Sequence, residues 1–291
     1  MSIIYNIKCP HCGLSNLAEN MTSCPQCATS FNSSPTELSK ATFFNPDNPA
    51  WRLSSAVALW IFSVVMVIMA SLMGTGAWAL WLKFHGQKFP AHVSIENNPE
   101  LAIISLLFTL LGHLITLLAA YLFVKVLYKQ THFWAALGWH WHPRFRLPHA
   151  IATIIVVLIA IIGISAVVPN NKSDMQKLFE SSLAVRLTLA AVAVLTAPLV
   201  EEIIYRGILF AGLRKSLGRW PAIIGVSAIF LMVHLPQYWG AWGTITGLCL
   251  LSTCLTLVRA YTSSLLPSFA IHLMFNSLQA LLIVLAGLAR H

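Results

Sequence analysis

Two adjacent acids, Glu201 and Glu202, stand with Arg206 inside the apolar run APLVEEIIYRGILF. A charged residue near the centre of a membrane-spanning helix costs roughly 2.5–3.5 kcal/mol on insertion scales. Three such residues within six positions must face a protein interior or a wet cavity, so this segment is the first candidate for a functional site. Two more polar clusters lie in apolar stretches of their own. One is FLMVH, ending at His234; the other is HLMFN, from His272 to Asn276.

The composition decides the solvent. The 291 residues are 57% hydrophobic and 9% charged, against about 25% charged in a typical soluble domain. Such a chain cannot cover a globule with polar groups, and it reads as an integral, multi-pass membrane protein. Its net charge of +9 fits basic loops on the cytoplasmic side of a membrane better than a nucleic-acid partner, and no nucleic acid is expected. The first 50 residues are polar and lack an apolar signal core, which leaves the first membrane helix as the insertion signal.

Four parts are expected along the chain. Residues 1–30 hold Cys9-Pro-His-Cys12 and Cys24-Pro-Gln-Cys27. Each C-x2-C pair forms a knuckle presenting two thiolates, and two knuckles close a tetrahedral site. Cys9, Cys12, Cys24 and Cys27 are therefore read as a zinc-ribbon-like structural site; rubredoxin-like iron and a pair of disulfides are the alternatives. His11 is taken as a bystander. Residues 31–52, rich in Ser, Asn and Pro, read as a linker. Residues 53–149 hold the first membrane helices and an interfacial segment, and residues 150–291 the remaining core. Seven apolar spans are expected, over 53–82, 101–127, 150–168, 187–213, 221–235, 243–258 and 265–289. The fold class is an all-α bundle of about seven transmembrane helices behind a small zinc ribbon.

Loop charge sets the orientation. Lys125, Lys129, Arg144 and Arg146 follow the second span without an acid, Arg214, Lys215 and Arg219 follow the fourth, and Arg259 follows the sixth. These loops and the N-terminus are expected in the cytoplasm, most simply across a cell (inner) membrane, where thiols stay reduced. Residues 131–149 interleave Trp, His and Arg. They read as an interfacial belt, with His140 and His142 as metal ligands the competing reading. His113 is read as a packing or relay residue, and Cys249 and Cys254 as small apolar packers.

The polar clusters have a geometry of their own. Glu202 and Arg206 are spaced i,i+4 with the acid first, the favourable order for a helical ion pair. Glu201, about 100° around the helix, is left without a local partner and suits a general base. Pro198 removes a backbone donor just before the pair, which predicts a kink or break. Phe230 and His234 share i,i+4 spacing, so the ring is placed to pack on the imidazole. His272 and Asn276 share it too, on one helix face, where they can donate to one developing oxyanion. Glu201 lies thirteen residues before Arg214, His234 thirteen after Pro221, and His272 thirteen after Arg259. At about 1.5 Å per residue all three lie roughly 20 Å from the same side, in one layer.

These clusters resemble the CPBP family of intramembrane proteases, also called the Abi or CAAX-protease family. It includes type II CAAX prenyl endopeptidases and bacteriocin self-immunity proteins. The family's Glu-Glu-x-x-x-Arg motif is similar to Glu201, Glu202 and Arg206. Its Phe-x-x-x-His motif is similar to Phe230 and His234, and its His-x-x-x-Asn/Asp motif to His272 and Asn276. The resemblance covers about residues 150–289. It implies hydrolysis of peptide bonds in membrane-associated proteins or peptides. Glu201 would activate water with His234, His272 and Asn276 would stabilise the oxyanion, and Glu202 and Arg206 would lock the helix. A second scheme makes Glu201, His234 and His272 ligands of a catalytic zinc. The competing classes are a non-enzymatic immunity or scaffold protein, docking a cytoplasmic protein through its zinc ribbon, and a proton-coupled transporter.

Overall fold

The computed structural model describes residues 45–90, 93–168 and 171–288. The four-cysteine motif of residues 1–30 and most of the expected linker lie outside the described residues. Within them the chain is helical, with one isolated bridge between His142 and Phe145. In chain order the helices are α1 (Leu53–Phe84), α2 (Pro99–Leu122), α3 (Phe133–Ala136), α4 (Leu147–Val167), α5 (Asp174–Phe179), α6 (Leu183–Leu195), α7 (Ala197–Glu201), α8 (Phe210–Leu217), α9 (Arg219–Tyr238), α10 (Trp242–Thr262) and α11 (Leu265–Leu288). A π-helical turn, Phe123–Leu127, extends α2, and a longer π-helical stretch, Glu202–Leu209, joins α7 to α8.

Seven segments among the described residues are long and apolar enough to cross a bilayer: α1, α2 with its π turn, α4, the composite Leu183–Leu217, α9, α10 and α11. Helices prevail because lipid offers no partner to a backbone N–H or C=O, whereas a helix satisfies both internally. The two stretches that look short in the sequence become full spans of 20 and 21 residues. Their missing turns are polar or aromatic (Arg219-Trp220, Pro236-Gln237-Tyr238, Trp242), residues that suit an interface and hide from an apolar count. Large aliphatic side chains such as Leu72, Val156, Ile159 and Ile162 are exposed, as lipid-facing positions should be.

The composite span is the centre. All eight residues from Glu202 to Leu209 are buried. Ile203, Ile204, Tyr205, Ile208, Leu209 and Phe210 share one apolar cluster with Ala56 and Leu59 of α1, Val124, Leu137, and Val226 and Phe230 of α9. Around it α1 packs on α2, α9 on α10, α4 on α10 and α11, and α6 on α2 and α11. Close approach is built in where it is needed. A Cβ on Gly74 of α1 would stand 2.8 Å from the Ser105 Cα of α2.

The described end of the linker, residues 45–52, is packed into this core. Trp51 is 1% exposed and donates from its indole Nε1 to the Ile208 carbonyl at 3.0 Å. Asp47 accepts from Arg259 Nη1 at 2.7 Å and pairs with Arg214 Nη1 at 2.9 Å. It also receives the Ser263 hydroxyl. Arg259 Nη2 donates to the Pro46 carbonyl at 3.0 Å, and Lys215 Nζ to that of Pro49 at 2.6 Å. Arg214 and Arg259, read from sequence as loop charges, are thus neutralised locally. One carboxylate that meets two arginines makes the described residues 45–52 a strap on the core.

Asp47→Ala should lower stability by about 3 kcal/mol, because it strands Arg259, whose side chain is fully buried. Asp174→Ala, which breaks the exposed pair with Lys177, should cost less than about 1 kcal/mol. Thermal unfolding of the two purified variants in one detergent measures the contrast.

Candidate active site

The break predicted before the acids falls at Thr196, whose φ of −121° and ψ of −40° leave the helix. Pro198 has no N–H to give the carbonyl of Val194, so the ladder of α6 cannot run on. Two side chains fasten the break. His113 Nδ1 of α2 lies 2.8 Å from Thr196 Oγ1, and that hydroxyl donates to the Val192 carbonyl at 3.1 Å, so the imidazole N–H is the donor to it. Asn276 Nδ2 of α11 donates to the Ala193 carbonyl at 2.9 Å, one of the last-turn carbonyls of α6 that a helix end leaves open.

Beyond the break the chain enters the π-helical stretch, a wider turn that recurs at functional sites. Glu202 and Arg206 meet inside it. Arg206 Nη1 donates to Glu202 Oε1 at 3.1 Å, and both side chains have no exposure. The rest of the guanidinium is also engaged. Nη2 donates to Ser252 Oγ at 3.0 Å and to its carbonyl at 3.3 Å, and Nε lies 3.4 Å from Thr256 Oγ1. Its carbon stands 4.5 Å over the Phe230 ring. Ser252 and Thr256 were not singled out in the sequence. Their signal is a small polar pair at i,i+4 in an apolar span, the type that bonds between membrane helices.

Phe230 organises the next layer. Its ring stacks on His234 at 4.4 Å and 26°, as the i,i+4 spacing suggests, and meets His272 edge-on at 6.2 Å. His234 Nδ1 lies 2.8 Å from the Phe230 carbonyl, so Nδ1 carries the proton and Nε2 presents a lone pair. That Nε2 is 3.9 Å from Glu201 Oε1. His272 Nδ1 is 3.1 Å from Glu202 Oε1, and its Nε2 is 3.5 Å from Glu201 Oε2. Glu201, His234 and His272, from three spans, therefore meet in one cluster. Exposure grades them: the Glu201 side chain is 20% exposed, His234 17%, His272 3%, and Glu202 none.

The structure thus brings five of the six polar residues singled out from the sequence into one connected cluster. The sixth, Asn276, holds the Ala193 carbonyl. Glu202 has a second contact that spacing did not reveal: besides pairing with Arg206 it fixes the tautomer of His272. Among the described residues no three His, Cys, Asp or Glu side chains are grouped as ligands of one ion.

A bundle of seven apolar spans around a buried acid–histidine cluster defines a polytopic membrane protein with a polar centre. Residues 183–278 match the family model described as Type II CAAX prenyl endopeptidase Rce1-like. The matched third of the chain runs from α6 into α11 and contains all six polar residues. It implies a protease acting on membrane-associated substrates. No curated protein matches the chain, and no solved structure does.

Glu202→Ala or Arg206→Ala should each destabilise the protein by roughly 3–5 kcal/mol, because each strands a buried charge. The double change should recover part of that loss. Unfolding midpoints in detergent for the two singles and the double form the cycle that tests it.

Proposed function

We propose that this chain is an intramembrane endopeptidase in which Glu201 activates the attacking water. The observation that carries the reading is the Glu201 carboxylate set 3.9 and 3.5 Å from the Nε2 atoms of His234 and His272, in a site whose other charges are already paired. A water between Glu201 and His234 meets two acceptors, the carboxylate and the His234 lone pair. Glu201 takes its proton as oxygen attacks the scissile carbonyl, and returns it to the leaving amine. His272, held at Nδ1 by Glu202 Oε1, turns Nε2 toward the reacting carbonyl and stabilises the developing oxyanion. Asn276 has a second N–H on Nδ2 besides the one given to Ala193, and that is the other oxyanion donor. Arg206 and Glu202 hold the π-helical stretch and the ring of His272 in register.

Substrates are membrane-associated proteins or peptides, reached within the bilayer, with the N-terminus on the cytoplasmic side of the cell membrane. Cys9, Cys12, Cys24 and Cys27 hold one structural zinc that folds the N-terminal ribbon, a docking surface for a cytoplasmic protein. Elemental analysis should give one zinc per chain and none after removal of residues 1–40, while the shortened protein, which keeps Asp47 and Trp51, should remain folded.

Glu201→Gln keeps the shape of the side chain and removes the base. Turnover of a membrane-anchored peptide by the detergent-purified variant should fall about 10²-fold or more, with its melting temperature unchanged. Turnover near the wild-type rate sinks the assignment and favours a non-enzymatic immunity or scaffold protein. Turnover that is lost on chelation and restored by zinc replaces the metal-free scheme with one in which Glu201, His234 and His272 hold the ion.

A further inference from the structure

A cavity of about 850 Å³ lies away from the acid–histidine cluster. Its floor includes Leu199 and Ile203, which flank Glu201 two residues to either side. At 100° per residue they project from the opposite side of the helix to Glu201. The cavity therefore backs onto the catalytic helix without opening on its carboxylate, and it is a second site.

Its lining runs from apolar to basic. Leu117, Tyr121 and Lys125 line it from α2 and its π turn. They are spaced i, i+4, i+8, one helical face about 12 Å long, with the ammonium at the end of the span and the leucine in the membrane. The opposite wall comes from α3 and the residues around it. There Phe133, Trp134 and Trp139 form a chain of ring contacts, with Tyr121 against Phe133 at 5.5 Å, Phe133 against Trp134 at 4.9 Å and Trp134 against Trp139 at 4.8 Å. Trp139 in turn packs on Phe269 of α11 at 4.9 Å, which ties this wall to the bundle. At the mouth Lys125 Nζ donates to the Thr131 carbonyl at 2.6 Å. That contact fixes the ammonium and leaves two of its three N–H groups for a ligand. Among the described residues no acid lines the cavity.

We propose that this cavity binds one anionic glycerophospholipid from the leaflet at the Lys125 end, its phosphate on Lys125 and an acyl chain along Tyr121 and Leu117 over Leu199 and Ile203. The chemistry selects that class. A cationic mouth at headgroup level wants an anion, aromatic rings suit the interface, and an apolar slot running two helical turns into the bilayer wants a chain in line with its neighbours. A soluble anion would leave the slot empty, and a zwitterionic lipid would bring its own cation to the lysine.

The test uses the full-length protein in phosphatidylcholine nanodiscs with a minority of phosphatidylglycerol, and counts the lipids retained by native mass spectrometry. Wild type should keep one phosphatidylglycerol in preference to phosphatidylcholine. Lys125→Gln should lower that preference about five-fold, the factor one interfacial lysine supplies. Arg144→Gln, in the same aromatic and basic segment but outside the cavity, should keep most of it. Leu117→Trp should fill the slot and abolish retention of the tightly held lipid. The melting temperature of each variant in pure phosphatidylcholine shows that it is folded, and Lys125→Gln alone decides the matter if Leu117→Trp is not. Equal losses in Lys125→Gln and Arg144→Gln would mean a general basic surface and overturn the proposal. So would equal retention of both lipids by wild type, or displacement of the lipid by free glycerol phosphate. The readout is bound lipid, so failure here leaves the peptidase reading untouched.

Discussion

The buried pair of Glu202 and Arg206 is the interaction on which the rest depends. Neither side chain is exposed, and two charges removed from water persist only if each is neutralised and hydrogen-bonded. That demand recruits the neighbours. Ser252 and Thr256 bring α10 to the guanidinium, Phe230 brings the face of its ring, and His272 brings α11 to the carboxylate. Three spans are thereby fixed to the composite span by one ion pair. The cluster that includes Glu201 is a by-product of the same arrangement, because His272 reaches Glu201 with the nitrogen that Glu202 leaves over.

The broken span is the second device. A straight helix from Leu183 to Leu217 would satisfy its own backbone and need no help from α2 or α11. The interruption at Thr196 and the π-helical stretch after it leave polar backbone inside the bilayer, which is tolerated only where protein covers it. Asn276 and the Thr196 hydroxyl held by His113 supply that cover. His113 and Trp51 both act on the composite span from outside the matched region 183–278, Trp51 through the Ile208 carbonyl. Trp51 and the second span therefore take part in building the centre.

Much of this was legible in the chain itself. Apolar runs gave seven spans, because a bilayer imposes a length and forbids open backbone. Pro198 announced the break, since a missing N–H is a local fact. The i,i+4 spacings of Glu202 with Arg206 and of Phe230 with His234 predicted contacts within a single helix turn, and those contacts are present. The common depth of Glu201, His234 and His272 followed from counting residues to the nearest helix ends, because all three counts start from the same membrane face.

What only the tertiary structure decided are the contacts between helices and the rotation of each about its axis. Spacing gave Asn276 the same face as His272, yet not that its amide turns to the Ala193 carbonyl. Nothing local told that Asp47 would meet two arginines more than 160 residues away, turning a polar segment into a strap. Nor did it tell that Leu199 and Ile203 would floor a cavity behind the helix that carries Glu201. The physical reason is one of range. Sequence carries periodicity and the length of a membrane crossing, which are set within one helix. Which side chains of different helices touch is set by the packing of all seven spans together, and no segment holds that information alone.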